Sequence, residues 1–332
     1  MTLSLNLLQK LTTAKPEEAW RNIFSYAQDV CCLPLEKSNA ASEVVRRDGK
    51  LADLDLFLAS AGWDLWQEFD NSVEHTAEAL INWWQESPHD GKAVLILDAL
   101  SLRESPWIIE GAKEHGYNVQ YRVTAAELPA DTTQFARSLG FSQRSSLQNN
   151  GAGNAHRLTG AQTESLDWNW HDCIPLVGAK THFVLWHHFP DYRLHDYAGS
   201  GQSLQSLTTE VMENLTSEDF WKLIETLTNG RKLVITADHG YAATGHFPNT
   251  NEAAQKQLLK ETYSAGRWAN AAAGNYQSRY VPPLDLELQT RHGRNRFVLG
   301  RRKWSVQGGY PTLAHGGLSV LEVAVPFIEI SR

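Results

Sequence analysis

The chain has 332 residues, 42 % apolar and 20 % charged, which suits an ordinary globular protein with one large core or two smaller ones. Its net charge of −8 argues against a broad surface for coating nucleic acid, but not against a nucleotide substrate, because bound cations would invert the local field. Cys31, Cys32 and Cys173 are odd in number and two are adjacent, which excludes a disulfide framework and points to a reducing compartment.

The opening MTLSLNLLQKLTTAKPEEAW has no basic stretch followed by a long apolar run. Nor does any segment reach the ~18 apolar residues of a membrane span, so a cytoplasmic protein without membrane partners is expected. Residues 1–90 read as helix. Pro16-Glu17-Glu18 is a start signal followed by Trp20, Ile23 and Phe24, and helical recurrence returns at Trp63, Leu65, Trp66, Phe69 and at Ala79, Leu80, Trp83, Trp84. This stretch is expected to be a helical N-terminal segment or subdomain, closed by a turn at 88–91, with the main domain over 91–332. The twelve tryptophans read as packing residues.

Beyond Gly91 the pattern changes. Ala93–Leu97 is a continuous apolar run, as in a strand buried on both faces. A helix over Ser105–His115 and strands over Tyr117–Val123, Thr181–Trp186 and Lys232–Ala237 follow. Before the last of these, Thr216 and Asp219 read as a capping box, with Phe220, Leu223, Ile224 and Leu227 on one helix face and Gly230 at its end. Ala324–Ile330 is a final strand. The alternation predicts an α/β fold with helices on both faces of a central sheet. Residues 142–180 and 240–295, rich in Ser, Asn and Gly, read as insertions over the sheet edge, the second with a helical piece near 251–272. The tract Gln148–Asn154 reads as a flexible loop, since it lacks the strand before it and the Lys-Ser/Thr after it that a phosphate cradle needs.

Three of the strands run into metal-ligand residue types. Ala93–Leu97 leads to Asp98, Thr181–Trp186 to His187, His188 and Asp191, and Lys232–Ala237 to Asp238-His239-Gly240. Open α/β sheets bind ligands beyond the carboxyl ends of their strands, so parallel neighbours would bring these groups together. Asp191 and His195 would share a helix face, a sound chelating geometry, and His315-Gly316-Gly317 adds another imidazole. Alone, each has an ordinary reading: an N-cap, a turn or a surface pair. Six Asp and His groups beside strand ends read as a metal site.

The segments VLILDALSLRE, VLWHHFPDYRLHDYAG, VITADHGY and LAHGGLSVLEVAVPFI resemble the PglZ domain of the alkaline-phosphatase superfamily, found in BREX-type phage-defence proteins and in some response regulators. The resemblance covers residues 92–330. It implies an alkaline-phosphatase-like, mostly parallel central sheet and two divalent metals, zinc first and manganese second. Asp98, Asp238 and His239 would hold one metal, and Asp191, His195 and His315 the other. Many PglZ sequences carry an acidic residue where this chain has His195, which leaves the metal preference there open. The family's Thr nucleophile would lie in Leu128–Phe135. Asp131 and Gln134 fit N-cap and N3 of a helix, with Thr132 and Thr133 in a first turn whose free N–H groups suit a phosphate. A Thr before a Gln favours Thr133, whereas an ungapped match from Pro129 favours Thr132; Thr133 is the expected nucleophile. Ser101 is a rival nucleophile that reads better as a helix-start residue.

Arg103 or Arg193 could grip a phosphate or be a surface arginine. His187 could touch the leaving group or orient a ligand, and His246 is a loop histidine further from the motifs. The implied activity is a phosphodiesterase on nucleotides or oligonucleotides in phage defence. A phosphomonoesterase, or a metal-binding but non-catalytic interaction module of a defence complex, stays open beside it. A sulfatase is rejected, because Cys173-Ile174-Pro175-Leu176-Val177 ends in Val where Cys-x-Pro-x-Arg needs Arg.

Overall fold

The computed structural model describes residues 3–86, 90–199, 203–271, 276–306, 309 and 311–332; the turn expected at 88–91 lies partly outside them. Its strands are β1 Lys92–Leu97, β2 Asn118–Ala125, β3 Gln162–Leu166, β4 His182–His187, β5 Lys232–Thr236, β6 Ala242–Ala243, β7 Trp268–Asn270, β8 Asp285–Thr290, β9 Gly293–Val298, β10 Leu313–Ala314 and β11 Ala324–Ser331. The N-terminal helices are α1 Leu5–Thr13, α2 Pro16–Cys31, α3 Ala40–Ser60, α4 Phe69–Ser72 and α5 Thr76–Gln85. They are followed by α6 Ser105–Glu114, α7 Thr132–Ser138, α8 Trp170–Cys173, α9 Asp191–Tyr197, α10 Leu204–Leu215, α11 Glu218–Thr228, α12 Ala253–Tyr263 and α13 Val320–Val323.

Six strands form the central sheet in the order β2-β11-β5-β1-β4-β3. It is mostly parallel, with β11 antiparallel to both its neighbours. Every residue of β1 is buried, and its side chains alternate between two cores: Ala93, Leu95 and Leu97 face one, Val94 and Ile96 the other. β1, β4 and β5, ending in Leu97, His187 and Thr236, are adjacent and parallel, with Leu97 opposite His187 and Ile96 opposite Thr236. Their carboxyl ends therefore open on one rim.

Two stretches read as insertions carry strands. β3, QTESL, is the sheet's edge strand, parallel to β4. It has no apolar run to announce it, and its buried polar groups are satisfied locally: Thr163 Oγ1 donates to Leu147 O (2.8 Å) and Glu164 Oε2 accepts from Asn149 N (2.8 Å). Residues 240–295 hold α12 and a three-stranded antiparallel sheet, β7-β9-β8. There β9 pairs through charges, Arg296 with Asp285 at 2.6 Å and Arg294 with Glu287, so apolar alternation is absent. Two helix boundaries also differ from expectation. Trp63–Glu68 is a tight 3-10 segment rather than α-helix, and α11 is capped by Ser217, whose Oγ accepts from Phe220 N at 3.2 Å, one residue after Thr216. No helix among the described residues is long and apolar enough to cross a membrane.

The N-terminal helices share the sheet's core. Trp20, Ile23, Leu51 and Leu58 join the cluster that holds Leu95, Leu233 and Val325. A buried ion network ties α3 to the loops at the strand ends. Asp48 receives Arg103 (2.5 Å) and Arg301 (2.7 Å), and Asp55 receives Arg301 (2.5 Å) and the Val320 N–H (2.7 Å). Deleting one partner of such a network leaves charge buried without compensation. Asp48→Ala is expected to lower the unfolding free energy by about 3–5 kcal/mol in urea titration. A loss below about 1 kcal/mol would mean that the arginines find other partners.

Candidate metal centre

Asp98 follows β1 and extends its ladder: its N–H donates to His187 O (3.0 Å), and its carbonyl accepts from Asp191 N (3.1 Å) at the start of α9. Ala99 then turns with φ 61° and donates its N–H to Asp238 Oδ1 (3.0 Å), which also accepts from His239 N (3.0 Å). Asp238 thus locks the backbone with one oxygen and leaves Oδ2 without a partner. His239 Nδ1 bonds the Gly240 carbonyl (2.9 Å), which turns Nε2 to within 3.5 Å of Asp238 Oδ2 and 3.8 Å of Asp98 Oδ1. Gly240 is obligatory here, because a Cβ would stand 2.2 Å from the Leu321 carbonyl.

The second half is built on α9. His195 lies one turn beyond Asp191, with Nε2 3.4 Å from Asp191 Oδ2, and His315 Nε2 reaches within 3.7 Å of Asp191 Oδ1. His315 stacks on His239 with ring centroids 4.3 Å apart. Two clusters of donor atoms result, Asp191–His195–His315 and Asp98–Asp191–His239, each within 4.8 Å, with Asp191 common to both. All six residues are thereby brought to one rim, with Asp238 beside the second cluster.

The electrostatics ask for cations. Burial, then the charges of Asp238 and Asp191, push the Asp98 carboxyl well above the usual range. Burial alone would lower His239, but Asp238, Asp98 and Asp191 outweigh it and raise it to about 9. Burial likewise disfavours Asp191 as an anion, yet the hydrogen bond to His195 and the nearby His315 and His239 hold its carboxyl below the ordinary value. Asp191 Oδ1, Asp238 Oδ2 and His239 Nε2 are buried without hydrogen-bond partners. Leaving such atoms unsatisfied costs about 1–3 kcal/mol each, and divalent cations would satisfy all three, so the donor set fits metal ions.

Opposite the cluster, Asp131 caps α7 by accepting from Thr133 N (3.4 Å). Thr132, the first residue of α7, directs Oγ1 towards Asp98 Oδ1 (3.5 Å). Asp131 Oδ2 also accepts from Trp268 Nε1 (3.2 Å), and the Arg144 guanidinium hydrogen-bonds Asp98 Oδ2. A cleft of about 430 Å³ opens from Asp131, His195 and His315 along Trp268, Val306 and Leu313.

Residues 140–330, more than half of the chain, match the family described as the BREX system PglZ alkaline phosphatase-like domain. The chain belongs to the PglZ family. The match contains Asp191, His195, Asp238, His239 and His315, whereas Asp98 and the two threonines precede it and reach the PglZ rim through the fold. No curated protein matches the chain. Among solved structures, murine ectonucleotide pyrophosphatase/phosphodiesterase 5 is similar over 73 % of this chain and 88 % of that one, at 10 % identity and a TM-score of 0.38. An inactive form of that murine enzyme, in complex with AMP, is similar over 72 % and 87 %, also at 10 % identity, with a TM-score of 0.37.

Other residues singled out in the sequence are engaged elsewhere in this PglZ chain. Arg103 is buried against Asp48, Ser101 Oγ (3.0 Å) and Tyr241 O (2.9 Å), which also occupies Ser101. Arg193 pairs with Glu210 and Asp196. His187 uses both ring nitrogens on the backbone, Nε2 with Trp168 O (2.8 Å) and Nδ1 with Phe189 N (3.1 Å), and burial lowers it to about 4. His188 meets Ser165 Oγ (3.0 Å), and His246 is exposed beside Gly49 of α3. Arg144 and Trp268 escaped the sequence reading. Arg144 lies in a stretch without periodicity, and Trp268 in the piece near 251–272 read as helix, where α12 ends at Tyr263 and Trp268 opens β7 instead; only proximity in space connects them to the rim.

Proposed function

We propose that this PglZ chain is a metal-dependent phosphodiesterase on nucleotides or oligonucleotides, that Thr132 is its nucleophile, and that it serves phage defence. Membership of an alkaline-phosphatase-like family supports phosphoester hydrolysis in general. The observation that carries the finer reading is the position of the Thr132 hydroxyl beside Asp98, at the edge of two donor clusters that share Asp191.

Asp98, Asp191 and His239, with Asp238 alongside, would hold one cation, and Asp191, His195 and His315 the other; zinc or manganese suits mixed imidazole and carboxylate donors. Bound there, the cations would neutralise phosphoryl charge and acidify an oxygen nucleophile. Thr132 Oγ1 would attack phosphorus in line, forming an O–P bond as the bond to the leaving alcohol breaks, with the hydroxyl proton passing to solvent and the leaving oxygen taking a proton from water. Water would then cleave the phosphothreonine. Arg144 would meet the phosphate beside Asp98 as a bidentate donor. Trp268, which lines the adjoining cleft, offers an aromatic ring for a base, which suits a nucleotide substrate. The BREX designation of the family supports the defence role and defence-system partners.

The test is hydrolysis of bis-p-nitrophenyl phosphate and p-nitrophenyl phosphate by metal-stripped protein given zinc or manganese. Faster diester turnover, lost in Asp238→Ala, is the expected result. Preference for the monoester would replace the diester reading. Metal-loaded protein inert on both would instead favour an interaction module.

A further inference from the structure

A second cavity, of about 500 Å³, is lined by Tyr192 of α9 and bears no donor cluster for a cation among the described residues. Trp168 and Tyr192, 51 % and 44 % exposed, stand on its walls together with Asp167, Asp172 and Asp219. No lysine or arginine is among the described residues that line it. Asp219 is shared with Lys222 (3.9 Å) and His171 (4.0 Å), while Asp167 and Asp172 form no salt bridge among the described residues, Asp167 acting only at longer range on His187 and His188.

The loop that presents Trp168 is held firmly. Its carbonyl accepts from His187 Nε2 (2.8 Å), and Trp170, two residues on, is 6 % exposed and packs on His187 and Phe220 with ring centroids 4.1 and 5.2 Å away. The Trp170 indole N–H has no acceptor, although the residue lines the cavity. A neighbouring groove of about 580 Å³ shares Trp168, His171 and Asp172, so the concavity is elongated.

Fixed aromatic faces beside carboxylates attract cations, and guanidinium groups stack on indole rings more readily than ammonium groups do. The elongated shape suits a stretch of chain rather than a small ion. We infer that this face binds an arginine-containing basic segment of a partner protein, with a guanidinium against Trp168 and its charge met by Asp167 and Asp172. The inference is independent of the catalytic reading.

The experiment is calorimetric titration of the whole chain with acetylated Gly-Arg-Gly-Arg-Gly amide, and with the Glu counterpart of that peptide as control. Saturable binding of the basic peptide alone is expected. It should weaken about tenfold in Trp168→Ala, the size of a lost cation–π contact, and disappear in the double variant Asp167→Asn/Asp172→Asn. Glu261→Gln on α12 should bind as the parent does. Equal binding by all variants would reveal general attraction to an acidic chain, and no binding to the parent would leave the face without a cationic partner; either result overturns the inference. Circular dichroism spectra of the variants show whether they remain folded.

Discussion

Asp191→Asn is expected to abolish metal retention at both clusters and to reduce diester hydrolysis by about 10³-fold or more, since the loss of several kcal/mol of charge stabilisation costs a factor of ten per 1.4 kcal/mol. The reasoning rests on position. Asp191 opens α9, is held to the sheet by its N–H bond to the Asp98 carbonyl (3.1 Å), and is the residue common to both donor clusters. The amide keeps the size of the side chain but not its charge. His195→Ala should behave differently, because His195 belongs to one cluster only and is the exposed member of it. Elemental analysis after dialysis should give about one ion per chain for His195→Ala and close to none for Asp191→Asn, if two-metal chemistry applies. Equal metal content in Asp191→Asn and the parent would sink the shared-ligand arrangement.

What the sequence made legible follows from how each element announces itself. β1, β4 and β5 are buried on both faces, so each is a run of apolar residues, and the polar residue ending each run stands out. Strand adjacency was the missing step, and the short parallel register between Leu97 and His187 supplies it. Elements stabilised by charge or by local hydrogen bonds left no such trace. β3 is QTESL, and β9 is held by arginines paired with Glu287 and Asp285. Arg103 illustrates the same limit at the site. The sequence left it open as a phosphate contact or a surface arginine, but the structure gives its guanidinium to Asp48, which is contributed by α3 more than fifty positions earlier. A side chain's partner across the fold is invisible to spacing. Residues 1–90 carry no motif of chemistry, yet through Asp48 and Asp55 they support the loops on which the rim is built.

Thr132→Ala should lose turnover by about 10³-fold or more while keeping its metal, because a missing nucleophile removes bond formation and not cation binding. Thr133→Ala should stay within a few-fold of the parent. The two residues are neighbours in the first turn of α7 but differ in what they face. Thr132 Oγ1 points to Asp98 Oδ1, whereas Thr133 donates its backbone N–H to Asp131 Oδ1 in the helix cap. Alanine keeps that N–H, so the cap survives the substitution. Thr132→Ser offers a stricter reading, because it retains the attacking hydroxyl and loses only a methyl group. It should recover most of the activity if the hydroxyl reacts, and phosphate analysis of the denatured protein after a brief exposure to diester should find covalent phosphate on the parent but not on Thr132→Ala. If instead Thr133→Ala is the inactive variant and Thr132→Ala labels normally, the nucleophile lies one residue further along the helix, and the contact with Asp98 is only a helix-start interaction.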